Sequence, residues 1–379
     1  MRIAIVTSGR FHVLDLAREL SALGHEVTFY SCLPRSRTEK FGLPPKCHRS
    51  LLSYLAPLVA LAQFSPQAMR SVLNSVLQIA VDNLVAHILS PCDVFIGMSG
   101  LCVNSALAAR REFGARVFLE RGSRHVISQK EILEGIPAII RGNKPVVPRS
   151  YVQRELTGYE LADVIVVPSH HVEESFVQRG VPRSKLFRNP YGVDLDMFPP
   201  TQAPPSSPRT VLFVGAWSLQ KGCDILIDAW SQLRGTRLIH VGPLGDAPLP
   251  QRDGFVHHDP VPQWRLKEFF GQAHVFALAS RQDGYGLVLV QALACGLPVV
   301  CTTRTGGADL QELVADHRLV TLVQPEDSAG LAGALREALA QRPADLGLRD
   351  ILGAGRETLS WRAYGQRYDR FLQQQGIGT

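Results

Sequence analysis

Two rhythms alternate along this chain. Short apolar runs bounded by polar turns predict buried strands, and apolar residues recurring every three or four positions predict amphipathic helices. Ile3 to Val6 form the first run, Thr7-Ser8-Gly9-Arg10 a turn, Val13 to Leu23 a helix and Glu26 to Tyr30 a second strand. This strand–loop–helix–strand opening predicts a doubly wound parallel sheet. Ser65-Pro66 reads as an N-cap followed by proline at the first helical position. Met69, Val72, Leu73, Val76, Leu77 and Ala80 continue that helix at regular spacing. Strands are predicted at Val94 to Met98, Val117 to Glu120 and Ala162 to Pro168, with a helix over Leu101 to Phe113.

A proline-rich stretch then interrupts the alternation, with Pro190, Pro199, Pro200, Pro204, Pro205 and Pro208. Beyond it, strands are predicted at Val211 to Val214, Arg237 to Val241 and Val275 to Ala279. Helices are predicted over Cys223 to Leu233, Trp264 to Phe270 and Ser328 to Ala340. A chain of 379 residues exceeds what one core usually serves. The expectation is an α/β protein with a domain over 1–188, a linker over 189–208, a second domain over 209–355 and a final helix over 356–379. In that helix Tyr364, Tyr368 and Phe371 share one face.

The stretch from Ser280 to Val300 carries the densest chemical signal. A polar loop with Gly284 and Gly286 runs into an apolar helix that stops at Gly296, and Leu297 to Cys301 follow as a strand. Unpaired amides at such a helix start, with the helix dipole, suit a phosphate. Asp283 stands at the mouth, where a carboxylate accepts hydrogen bonds from hydroxyls. Gln291 lies eight residues on. Phosphate donors beside hydroxyl acceptors suggest a nucleotide-sugar, and an ordinary loop–helix–strand turn is the alternative.

Net charge is +6 with a pI near 9.0, which fits an anionic substrate or membrane surface. With no run of Lys/Arg and no RNA- or DNA-binding motif, no nucleic-acid partner is expected. The seven cysteines form no Cys-x-x-Cys pair, so free buried thiols in a reducing cytosol are expected, and no metal site. The N-terminus reads as a strand, not a signal peptide, and no segment is apolar enough to span a bilayer.

Three segments, Arg188 to Phe198, Val211 to Gly222 and Asp283 to Val300, resemble in joint order and spacing the GT-B fold retaining glycosyltransferases of family 4, also called group 1. The similarity covers essentially the whole chain and is strongest from Ala162 to Leu310. It implies two Rossmann-like domains facing across a cleft, with the acceptor in the first and the nucleotide-sugar donor in the second. It also implies a final helix crossing back to the first domain. Lys221 would contact the donor diphosphate, and Asp283 and Gln291 replace two glutamates usual in the family. Ser280, Gly284, Tyr285, Gly286 and Leu287 would complete the donor loop. Gly9, with Arg10 and His12, lies in the loop that approaches donor phosphate or acceptor; a plain turn is the alternative. His125, after a strand end, matches in position the family's cleft histidine; a capping or surface histidine is the alternative. Ala216 occupies the place of a family arginine, for which Arg281 or Arg304 are candidate substitutes.

The implied activity is retaining, metal-independent transfer from a nucleotide diphosphate sugar, with no cofactor, to a glycan or lipid-linked acceptor. His125, Lys221 and Asp283 are the expected catalytic residues. A degenerate nucleotide- or glycan-binding protein and a nucleotide-sugar epimerase are the alternatives. Basic residues Arg35, Arg37, Lys40, Lys46 and Arg49 precede an apolar stretch from Leu51 to Phe64. They raise peripheral contact through 35–64 with an anionic membrane at its cytoplasmic face; a buried helix after a solvated loop is the alternative.

Overall fold

The computed structural model describes residues 1–136, 147–202, 204, 207–314, 316–340 and 352–377. Among them two parallel sheets form. The first contains β1 (Arg2–Val6), β2 (Glu26–Ser31), β3 (His48–Ser50), β4 (Val94–Met98), β5 (Arg116–Glu120), β6 (Val164–Val167) and β7 (Leu186–Arg188). Their order is β3-β2-β1-β4-β5-β6-β7. The second contains β8 (Arg209–Val214), β9 (Thr236–Val241), β10 (Phe255–His258), β11 (Val275–Leu278), β12 (Val299–Thr302) and β13 (Val320–Val323). Their order is β10-β9-β8-β11-β12-β13. The central strands are near-continuous apolar runs because helices cover both faces of a parallel sheet. β4, β6, β11 and β12 are buried at all or nearly all positions.

Strand order reverses between β1 and β4 in one sheet and between β8 and β11 in the other. Such switch points leave a crevice at the carboxyl ends of the strands. The two crevices face each other.

Two crossings join the domains. The first follows β7, and Pro205 within it lies outside the described residues. The second precedes the helix Trp361–Gln374, which packs on the first domain. There Asp369 pairs with His25 at 2.8 Å, and Phe371 stacks on Phe187 with ring centroids 3.9 Å apart. The crossings touch: Val193 donates its N–H to Leu359 at 2.8 Å, and Trp361 donates to Val193 at 3.3 Å.

Two local readings change. The helix Gln67–Ile88 starts one residue after Pro66, its extended N-cap, and no side-chain cap forms at Ser65. The apolar helix Leu52–Phe64 is not a core element, since Ala62 is its only buried residue. No helix among the described residues is long and apolar enough to cross a membrane.

Candidate functional site

A cleft of about 800 Å³ lies between the domains. From the second domain, the loop after β8 brings Gly215 and Lys221, and the loop after β11 brings Asp283, Tyr285, Gly286 and Leu287, with Gln291 behind. From the first, the loop after β1 brings Ser8, Arg10 and His12, and the loop after β5 brings Arg121, Gly122 and Ser123.

Glycines shape both donor-side loops. Gly222 sits at φ +69°, and a Cβ there would meet the Ala279 carbonyl at 1.9 Å. The loop carrying Lys221 therefore packs directly on the end of β11. That contact brings Lys221 to Asp283, and their side chains form an ion pair, the lysine about one-quarter and the aspartate about one-fifth exposed. Gly286, at φ +77°, caps the helix Leu287–Ala294, whose first residues, Leu287 and Val288, line the cleft. The other glycine of this loop, Gly284, presses on the Gly122 backbone across the domain boundary. Its carbonyl accepts from Ser169 Oγ at 2.6 Å and His171 Nε2 at 3.2 Å.

Gln291 is buried, and its Oε1 lacks a hydrogen-bond partner among the described residues. The Tyr285 hydroxyl is likewise buried and unpaired. A buried polar atom without a partner costs about 1–3 kcal/mol, so a ligand that donates to it gains correspondingly. Both residues line the cleft.

Six of the expected residues thus converge on the cleft: Lys221, Asp283, Tyr285, Gly286, Leu287 and Gln291. Four do not line it. The Ser280 side chain is fully buried below the loop, and its carbonyl accepts from Thr302 Oγ. Gly9 and Gly284 lie behind lining residues. His125 caps the helix Val126–Glu134, its Nδ1 accepting from the Ile127 N–H at 3.3 Å. Its ring packs on Tyr159 and Phe176. Burial, with Arg121 and Arg179 nearby, holds His125 down to about 4, so it stays neutral and able to accept. His125 takes this place because β5 ends at Glu120 and the loop has turned inward by residue 125.

Arg121 reaches the cleft instead, held by Glu155 at 2.6 Å and by the Arg124 carbonyl. Beside it Glu120, the last residue of β5, accepts from His12 Nε2 at 2.9 Å, and both are nearly fully buried. His12 stacks on Tyr191 at 4.3 Å. Strand-end position signalled Glu120 and Arg121; nothing in the sequence signalled that His12 would meet them.

Neither candidate substitute for the missing arginine lines the cleft. Arg281 forks onto Asp224 at 2.8 and 2.7 Å, and among the described residues Arg304 reaches toward the Arg281 carbonyl at 3.5 Å. Of the other lining cations, Arg18 pairs with Asp15 and Glu19. Arg10 lies over the Phe41 ring at 3.7 Å and Lys40 over Trp264 at 4.7 Å. Neither has a carboxylate partner among the described residues. Burial lowers the Arg10 pKa, with Arg37 and Arg18 adding to the effect against Asp15.

A family model described as Glycosyltransferase Family 4 matches residues 10–197, and one described as Glycosyl transferases group 1 matches residues 208–341. The chain is 30% identical over 253 residues to a D-inositol 3-phosphate glycosyltransferase of Xylanimonas cellulosilytica, covering 59% of each chain. It is 28% identical over 245 residues to a GDP-mannose-dependent alpha-(1-6)-phosphatidylinositol monomannoside mannosyltransferase of Mycolicibacterium smegmatis, covering 56% of this chain and 62% of that one. The chain thus spans little more than half the length of the curated relatives it matches. Among solved structures, a sucrose-phosphate synthase from Thermosynechococcus elongatus superposes with a TM-score of 0.65 at 20% identity, covering 99% of this chain and 98% of that one. Anabaena HepE in complex with UDP-glucose gives 0.62 at 15% identity, covering 99% and 100%. At those identities the likeness establishes the fold.

Proposed function

The chain belongs to the glycosyltransferases of group 1 and family 4, and we propose that it moves a sugar from a nucleotide diphosphate sugar to a glycan or lipid-linked acceptor, with retention and without a metal ion. The observation that carries this reading is the meeting of Lys221 and Asp283 at the open end of the helix Leu287–Ala294. Without donor the two charges neutralise each other. With donor, Lys221 and the helix amides take the diphosphate, and Asp283 takes sugar hydroxyls. Gln291 Oε1, unpaired as it stands, accepts from a ribose hydroxyl.

Transfer breaks the bond between the anomeric carbon and the diphosphate oxygen, and the electron pair leaves with phosphate. Lys221 and the amides stabilise that developing charge. The positive charge growing on the sugar carbon is met from the same face by the departing phosphate. The acceptor oxygen bonds to that carbon, and its proton passes to the phosphate. The first domain holds the acceptor hydroxyl in reach.

The test is thermal stability with UDP, GDP, ADP and dTDP, each in excess chelator. A nucleotide at 100 times its Kd stabilises by about 2.7 kcal/mol, a shift of a few degrees for domains of this size. A shift with one base, abolished by Lys221→Ala and reduced by Asp283→Ala, is expected. Unchanged transfer in both variants would sink these residue roles. A second reading, a nucleotide- or glycan-binding protein without turnover, is favoured by one observation: neither Arg281 nor Arg304 replaces the cation absent at Ala216. Nucleotide binding without transfer to any acceptor supports it.

A further inference from the structure

The pair formed by His12 and Glu120 belongs to the first domain, across the cleft from Lys221 and Asp283, and both of its members line that cleft. None of the donor chemistry above uses it. Glu120 is 1% exposed and accepts from His12 Nε2 at 2.9 Å, while its other oxygen, Oε1, has no partner among the described residues. Aromatic rings close around the pair: Tyr191 stacks on the His12 ring at 4.3 Å, and Tyr364 meets it edge-on at 6.5 Å. Burial, with Glu120 nearby, pushes the Tyr191 and Tyr364 hydroxyls well above their ordinary pKa. Packing alone does not explain a carboxylate in such a place, because apolar side chains of similar volume usually hold a core as well or better. Local conflicts of this kind concentrate at functional sites.

The bond to Glu120 decides what His12 offers to the cleft. With the Nε2 proton donated to the carboxylate, the ring is held in the tautomer whose Nδ1 carries a lone pair. Nδ1 has no partner among the described residues and is not one of the buried unpartnered atoms, so the cleft reaches it. It is a fixed hydrogen-bond acceptor backed by a negative charge. A phosphate or carboxylate group would be repelled there. A metal ion would need further ligands, and no group of three His, Cys, Asp or Glu that could hold one occurs among the described residues. A hydroxyl group, which donates, fits. The place is also close to the donor loop, since Tyr191 touches both His12 and Tyr285, with centroids 4.3 and 5.5 Å away.

We propose that His12 Nδ1 accepts a hydrogen bond from a hydroxyl of the acceptor, that Glu120 is the positioning residue holding His12 in the accepting tautomer, and that the acceptor is therefore a polyol, a sugar or cyclitol group with at least two hydroxyls. The reacting hydroxyl gives its proton to the departing phosphate, so the one held by His12 is its neighbour. This inference rests on the glycosyl-transfer reading.

Radiolabelled donor sugar and a glycan and lipid extract of the host cells, used as the acceptor pool, give transfer rates for wild type, His12→Leu, His12→Asn, Glu120→Gln and the His12→Asn/Glu120→Gln double variant. Asparagine can place its side-chain oxygen where Nδ1 stands without help from position 120. Glutamine at 120 keeps the shape of the carboxylate but can donate as well as accept, which releases the tautomer. His12→Leu and Glu120→Gln are each expected to lower kcat/KM for the acceptor pool about tenfold or more. The donor KM and the nucleotide-induced melting shift stay as in wild type. His12→Asn is expected to keep transfer within about threefold, and adding Glu120→Gln to it to cost nothing further. Wild-type transfer by His12→Leu overturns the proposal. So does an equal loss from Glu120→Gln with and without His12→Asn, which would make Glu120 a structural residue only. If Glu120→Gln lacks the nucleotide shift and so has not folded, His12→Leu and His12→Asn decide, and equal losses in the two overturn the proposal. Label joined to a group that has a single hydroxyl overturns the polyol acceptor. A wild type that binds nucleotide but labels nothing removes the transfer reading and this inference with it, whereas wild-type transfer that His12→Leu keeps removes this inference alone.

Discussion

Replacing Gly284 by alanine probes the contact between the donor loop and the first domain. The new Cβ would lie 1.7 Å from the Gly122 carbonyl oxygen and 2.6 Å from its carbon. Both are backbone atoms and cannot rotate away. Ordinary contact begins at 3.4 Å, so the two loops must part by 3.4 − 1.7, or 1.7 Å. Gly284 is not among the residues with positive φ, so alanine itself fits the backbone and the contact alone is tested. Overpacking of this kind costs about 1–3 kcal/mol. Parting the loops also removes the bonds from Ser169 and His171 to the Gly284 carbonyl, at about 1 kcal/mol each. The total is roughly 3–5 kcal/mol, a fall in Tm of about 6–20 °C if folding bears it all. Opening the cleft relieves the clash with less loss of fold, and a misplacement above about 1 Å lowers transfer about a hundredfold. The assay compares melting temperature, nucleotide-induced shift and transfer in wild type and Gly284→Ala. Wild-type melting together with a wild-type nucleotide shift would refute the tight interdomain contact.

Two further outcomes are expected. His125, His171 and His240 are each held down to about 4, chiefly by burial. Depressed histidines favour the folded state fully above their unfolded pKa near 6.5, and that stability is lost as pH falls toward 4. Each group contributes at most about 1.4 kcal/mol per pH unit, less where solvent screens it. Urea melts from pH 7.5 to 4.5 are expected to show this slope. His125→Asn, which can still cap its helix, flattens it, and an unchanged slope counts against the burial of that ring. Gly333 lies inside the helix Ser328–Ala340 with nothing near its absent Cβ. Gly333→Ala is expected to stabilise by about 0.5–1 kcal/mol, and a lower melting point would contradict the helix.

The central strands and the donor loop were legible because burial on both faces writes continuous apolar runs, and because Gly284, Gly286 and Asp283 stand at fixed places around a helix start. The strands left unread, β3, β7, β10 and β13, are the four sheet edges. Each has three or four residues, mostly part-exposed or exposed, and in β3, β7 and β10 no apolar run marks the strand; β13, Val-Thr-Leu-Val, carries a short one. His125 and Ser280 were assigned from position in a motif. What moved them out of the cleft was tertiary: the Tyr159–Phe176 pocket that takes the His125 ring, and the depth of Ser280 beneath its loop. The His12–Glu120 pair joins residues 108 apart in sequence, a distance no local pattern spans.

The paired crossings at Val193 and Ser360 make the protein indivisible by a single cut. The two segments are stitched at a single parallel bridge, Val193 with Ser360, so they hold each other side by side as two plies of one strap. Both connections between the domains therefore meet at one place, and neither can shift without the other. A fragment ending at the first crossing would lack the strap's second ply and leave Phe187 without its stacking partner Phe371.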